Sequence, residues 1–187
     1  MSAMQDRTLT FARRQRAFGW ASVVWLVGGL LWFSPATGAL QEKVPEFRLP
    51  TIDGTTFDVK EVLGKKIIVM NFWATWCVPC RREMLHLQKL YDQYGDAGLQ
   101  VLAISIDDAS KVSQVKPLVK SNKYTYPVLL DTDSLLIKKF QAQPEIPLTL
   151  LVDRRGRIVR RFQGYKPGDE ETLKAEIKKL LDQIAQQ

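Results

Sequence analysis

Cysteine and histidine are scarce in this chain. Its 187 residues hold two cysteines, Cys77 and Cys80, and one histidine, His86. A structural zinc site takes four ligands, so zinc fails unless chains share them. An iron–sulfur cluster needs more thiolates. A c-type haem site needs histidine directly after the second cysteine, and that position is Arg81. A structural staple stays open, although closing so small a ring removes little chain entropy.

Charge is missing from one stretch. Ala17 to Leu40, "AFGWASVVWLVGGLLWFSPATGAL", carries no charged residue. As a helix it would be about 36 Å long, against a hydrocarbon core of about 30 Å. Arg7, Arg13, Arg14 and Arg16 precede it with only Asp6 opposing them, which predicts an N-in, C-out orientation. Two readings fit. One is an uncleaved anchor with tryptophans near the interface. The other is a signal peptide with Thr37–Ala39 as its cleavage site after Pro35. Both export the rest of the chain. The expected division is therefore 1–40, cytoplasmic tail with anchor or signal, and 41–187, one folded domain. The expected location is a single-pass bacterial inner-membrane protein with a periplasmic domain, or a periplasmic protein after cleavage.

No internal repeat and no low-complexity linker interrupts residues 41–187. Hydrophobic residues make up 45% of the chain and charged ones 25%, ordinary for a globular protein. The net charge of +7 is partly N-terminal and otherwise too diffuse for a nucleic-acid footprint. No nucleic-acid partner is expected.

The exported part reads as alternating strands and helices. Turn chemistry at Asp53–Gly54 between short extended stretches predicts an N-terminal hairpin. "KIIVMNFWA" and "LQVLAISID" are continuous apolar runs and read as buried strands. Between them Met84, Leu87, Leu90, Tyr91 and Tyr94 fall at helical spacing. "SKVSQVKPLVKSN" reads as a helix that Pro117 must start, kink or divide. "YTYPVLLD" is a strand candidate and "DSLLIKKFQ" a short helix. "PLTLLVDRRGRIVRRFQG" predicts a hairpin turning at Asp153–Gly156, and "GDEETLKAEIKKLLDQIAQQ" a closing helix. This order argues for an α/β sandwich, parallel in its first half and ending in an antiparallel hairpin.

The cysteine pair lies where a buried strand gives way to a helix. Free N–H groups and the helix dipole there stabilise a thiolate. Pro79 fits the first turn, where its missing N–H costs nothing. Cys80 stands one turn further in, placed to attack a mixed disulfide on Cys77. That predicts Cys77 as nucleophile and Cys80 as resolving thiol.

"NFWATWCVPCRREM" resembles the active-site stretch of the thioredoxin superfamily, and within it the exported TlpA/ResA/DsbE (CcmG) group. The likeness extends through "VPEFRLPTIDG" and "IPLTLLVDRRGRIV". It implies a thioredoxin-like sandwich with an N-terminal hairpin and a helix–strand insertion at about Asp108–Asp131. It implies a redox-active Cys77–Cys80 disulfide and no cofactor or metal. It aligns Pro147 with the family's cis-proline, and Ile146 with the residue that offers backbone to substrate. Trp76, Val78 and Pro79 complete the expected substrate surface, while Trp73 is expected to pack. Asn71 stands where cytoplasmic thioredoxins carry a buried Asp, and an amide cannot act as base. Glu83 matches the glutamate of ResA-like members. It is the candidate acid–base residue, although a carboxylate early in a helix also complements the dipole. His86 is expected to be exposed. Arg154, Arg155, Arg157, Arg160 and Arg161 are expected to form a solvated hairpin.

The resemblance implies a periplasmic reductant of protein disulfides. Apocytochrome c is the expected substrate, with copper-site assembly proteins as a rival, and a CcdA/DsbD-type membrane carrier is the expected electron source. A copper chaperone would need a distal histidine and a CxxxC spacing, which are absent. A peroxiredoxin would need Pro-x-x-x-Thr-x-x-Cys, and "NFWATW" before Cys77 lacks it.

Overall fold

The computed structural model describes residues 42–141 and 143–186. The apolar stretch from Ala17 to Leu40 and its anchor or signal reading lie outside them. Among the described residues no helix is long and apolar enough to cross a membrane.

Strands β1 (Arg48–Pro50) and β2 (Thr56–Asp58) form the predicted hairpin. The main sheet contains β3 (Ile67–Trp73), β4 (Leu99–Ser105), β5 (Val128–Leu130), β6 (Leu148–Val152) and β7 (Ile158–Gln163). Its spatial order is β5-β4-β3-β6-β7. The β3–β4 and β4–β5 pairs are parallel, and β3–β6 and β6–β7 antiparallel. Parallel neighbours need a crossover. Helices α1 (Val78–Tyr94) and α2 (Val115–Ser121) supply the two crossovers, and α3 (Asp169–Ala185) closes the chain.

Strand alternation divides the core. On β3, Ile67, Val69 and Trp73 face Met84 and Leu87 of α1 and Leu173 and Ile177 of α3. Ile68, Met70 and Phe72 face the other layer, with Phe47, Val59, Ile137 and Phe140. Both faces are fully covered, so β3, β4 and β6 are buried along their whole length, and their apolar runs are broken only by Asn71, Gln100, Ser105 and Thr149. Asn71 falls on the α1 face by the same alternation.

Two expected elements are shorter than their patterns suggest. "DSLLIKKFQ" gives only a 3-10 turn at Ile137–Lys139. The buried Asp131 carboxylate takes the N–H groups of Leu136 and Ile137, and the chain reaches them through Ser134 at φ 56°. These bonds fix a tight turn where the pattern predicts helix. "YTYPVLLD" contributes only Val128–Leu130 to the sheet. Pro127 has no N–H to donate to a ladder, and Tyr124 and Tyr126 stack on each other instead.

Candidate active site

β3 ends at Trp73, and Cys77 then caps α1. Cys77 has extended backbone, and its Sγ accepts the Cys80 N–H at 3.2 Å. The two cysteines form a disulfide with S–S 2.02 Å. Cys80 is fully enclosed, while Cys77 keeps 5% of its surface open. The cysteine nearer solvent is thus the one at the helix terminus. Pro79 lies in the first turn.

Around the disulfide the surface is apolar. Trp76 is 57% exposed, and Val78 and Pro79 are exposed beside it. The Lys111 ammonium lies 5.9 Å from the Trp76 ring centroid. The Ile146–Pro147 peptide bond is cis. β6 starts with Leu148 opposite Phe72, which brings Pro147 level with Trp73 at the disulfide end of the sheet. Ile146 packs against the cluster that holds both cysteines. Trp73 is buried, as expected of a packing residue.

The turn carrying Cys77 is held from the end of β4. Asp107 is 1% exposed. Its carboxylate accepts the Thr75 N–H at 2.8 Å, the Thr75 hydroxyl at 2.7 Å and the Ser105 hydroxyl at 2.8 Å. Asp107→Ala leaves those buried donors unpaired. It is expected to lower the stability of the oxidised protein by about 3 kcal/mol. Urea denaturation measures this, and a loss below about 1 kcal/mol would show that water replaces the carboxylate.

Glu83 follows Cys80 by three residues and so shares its helix face. It is buried. Asn71 of β3 donates from Nδ2 to Glu83 Oε2 at 3.0 Å and to Thr149 Oγ1 at 2.8 Å. The Thr149 hydroxyl donates to Glu83 Oε1 at 2.6 Å. Burial pushes the Glu83 carboxyl up to about 7, and Asp169 adds to the rise. The bonds from Thr149 and Asn71 hold it down against that trend. A thiol nucleophile, a resolving thiol one turn on, and a carboxyl titrating near neutrality are the parts that thiol–disulfide exchange requires.

Thr149 and Asp107 escape a reading of the sequence. For Thr149 the signal is a lone polar residue in a buried run, "LTLLV" of β6, whereas Asp107 sits among other polar residues just beyond β4. His86 is half-buried rather than exposed, because its ring stacks on Tyr165 with centroids 6.2 Å apart. The arginine hairpin is only partly a solvated one. Arg157 pairs with Asp153, Arg160 with Glu176 and Arg161 with Glu42. Arg154 and Arg155 line an open groove of ≈ 770 Å³ against α3.

Known proteins resemble this chain in sequence and fold. Residues 40–172 match the model of the AhpC/TSA family. The thiol-disulfide oxidoreductase ResA of Bacillus thuringiensis subsp. konkukian is 30% identical over 139 residues, spanning 74% of this chain and 77% of that protein. A thiol:disulfide interchange protein of the thioredoxin family from Chlorobium tepidum superposes with TM-score 0.66 at 26% identity, covering 76% of this chain and 98% of that one. StoA from Bacillus subtilis gives TM-score 0.58 at 26% identity, covering 71% and 96%. The fold is thioredoxin-like, and the chain belongs to the AhpC/TSA family, among its ResA-type thiol-disulfide oxidoreductases.

Proposed function

We propose that this protein reduces disulfides of exported proteins, with the cysteine pair of apocytochrome c as its substrate. The observation that carries the reading is a cysteine pair at a helix N-terminus above a buried carboxyl poised near neutrality. In the reduced protein the Cys77 thiolate attacks a substrate disulfide. A bond forms between Cys77 and one substrate sulfur, and the other leaves as a thiolate. Cys80 gives its proton to Glu83 and attacks Cys77 Sγ. The mixed disulfide breaks, the second substrate sulfur leaves, and the Cys77–Cys80 disulfide forms. Two electrons have passed to the substrate. A CcdA/DsbD-type membrane carrier returns two electrons to the pair.

We place the domain in the periplasm, tethered by the segment before residue 41 or released from it. Ile158 N–H donates to Glu42 O, and Val44 N–H donates to Gly156 O. These bonds put the start of the domain at the β6–β7 turn, beside Val152 and its partner Ile68. The disulfide lies beyond the other end of β3, about 17 Å further along the strand. Glu42 and the disulfide thus lie toward opposite ends of β3.

The reduction potential tests the direction of electron flow. A value near roughly −270 mV is expected of a reductant, and one near roughly −120 mV would make the protein an oxidant. The apolar rim gives a further prediction. Trp76→Ala is expected to raise KM for a protein disulfide about tenfold, as loss of a buried aromatic contact does at interfaces. Its rate with a small aliphatic disulfide is expected to stay within about twofold, because such a substrate covers none of the rim. Equal losses on both substrates would assign Trp76 to the thiol chemistry instead.

A further inference from the structure

We propose that Thr149 is a positioning residue that sets the proton affinity of Glu83, and through it the pH at which the enclosed Cys80 thiol is activated. The proposal rests on the reading of Glu83 as proton acceptor for Cys80. Thr149 and Asn71 are cross-strand partners in the β3–β6 register. Their side chains stand on the same face of the sheet, the face that α1 covers. Helix α1 then lowers Glu83 onto the pair, so two strands and a helix meet in one closed ring of hydrogen bonds.

The direction of the bonds in that ring is informative. Asn71 spends its amide N–H groups on Glu83 and Thr149, while its buried Oδ1 has no partner among the described residues. Turning the amide over would set its carbonyl against the Glu83 carboxylate, so the N–H groups face Glu83 and Thr149. The Asn71 bond to Oγ1 leaves the Thr149 hydroxyl hydrogen to point at Glu83 Oε1. Each carboxylate oxygen therefore accepts one bond, the pattern that favours the ionised form. Asn71 alone reaches one oxygen, and Thr149 supplies the other.

The remaining titratable groups near Glu83 do not do this. Cys80 and His86 lie on its own helix, Asp169 and Glu170 approach from α3, and Tyr126 and Tyr165 come from the segments before β5 and α3. Among the described residues none of these donates a hydrogen bond to Glu83. Thr149 also stands two residues after Pro147, which immediately precedes β6. The segment that would carry the backbone contact to substrate thus also carries the hydroxyl that holds the acceptor.

The test follows the ¹³C resonance of the Glu83 carboxyl through a pH titration of the full-length oxidised protein. In the disulfide form the cysteines do not titrate. Thr149→Val keeps the shape and removes the hydroxyl. Its midpoint is expected about one pH unit above the unsubstituted protein, a tenfold gain in proton affinity. Thr149→Ser restores the donor and is expected to restore the midpoint. If Thr149→Val does not fold, Thr149→Ala removes the same hydroxyl and carries the same expectation. A midpoint unchanged by loss of the hydroxyl overturns the proposal. In the reduced protein the pH profile of disulfide exchange is expected to move with the carboxyl. A shifted carboxyl under an unshifted exchange profile would keep the Thr149–Glu83 bond but reject the coupling to Cys80. Failure of the acceptor reading itself looks different, because Glu83→Gln would then leave the exchange profile unchanged.

Discussion

Cys80→Ala is expected to convert the reduced protein into a trap. Cys77 keeps its place as the cap of α1, where the helix N-terminus stabilises its thiolate. Attack on a substrate disulfide therefore proceeds, and the mixed disulfide has lost the thiol that resolves it. A covalent adduct should build up on Cys77 in cells, visible as a higher band without reductant and absent with it. Cys77→Ala should show no adduct. Its exchange rate should fall to the background, because Cys80 is enclosed under the first turn and meets no substrate. The contrast between the two variants is what matters. Equal trapping by both would mean that Cys80 also attacks, and the division of labour by burial would be wrong. Absence of any adduct with Cys80→Ala would sink the exchange mechanism. Mass spectrometry of the trapped adduct names the substrate, and an apocytochrome c peptide there is the expected result.

Most of what places Cys77 is legible in the amino-acid sequence. The apolar run to Trp73, the helical spacing from Met84 to Tyr94 and Pro79 between them already put the pair at a strand–helix junction. Glu83 is legible too, since three residues of helix carry one face around to the next turn. The partners of Glu83 are not. Asn71 and Thr149 are 78 residues apart in sequence, and only the pairing of β3 with β6 brings them together. Periodicity identifies a strand but not its neighbour. A lone polar residue within a buried run shows that a partner must exist, without showing which. The same holds for Asp107 and Thr75, joined across the β3–β4 edge. The segment around Ile137 departs from its pattern for a related reason. A buried aspartate capturing backbone N–H groups at Leu136 and Ile137 outweighs local helix propensity, and spacing alone does not reveal such a capture.

Glu83→Gln is expected to change both reactivity and stability with pH, and the signs follow from one displaced carboxyl. An unfolded Glu83 loses its proton near the ordinary value of 4.5, whereas the folded one holds it up to about 7. Between these values the folded state binds one more proton than the unfolded state. Stability linked to Glu83 is therefore complete below the lower value and is lost as pH rises through the upper one. The loss amounts to about 3 kcal/mol across that window. Glutamine has the shape of the protonated acid but no proton to lose. The Glu83→Gln protein should match the unsubstituted one in acid and exceed it above neutrality by about that amount. Other titrating groups are common to both proteins and cancel in the difference. In exchange assays the same variant should lose the rise in rate between about pH 6 and 8, since an amide takes no proton from Cys80. The loss of general base assistance should be on the order of 100-fold at the upper end. Urea denaturation of the two oxidised proteins from acid to weakly alkaline pH reads the first effect free of thiol chemistry. Parallel stability curves there would mean that Glu83 is ionised throughout. The carboxylate would then serve only to complement the α1 dipole, and the proton from Cys80 would have to leave by another route.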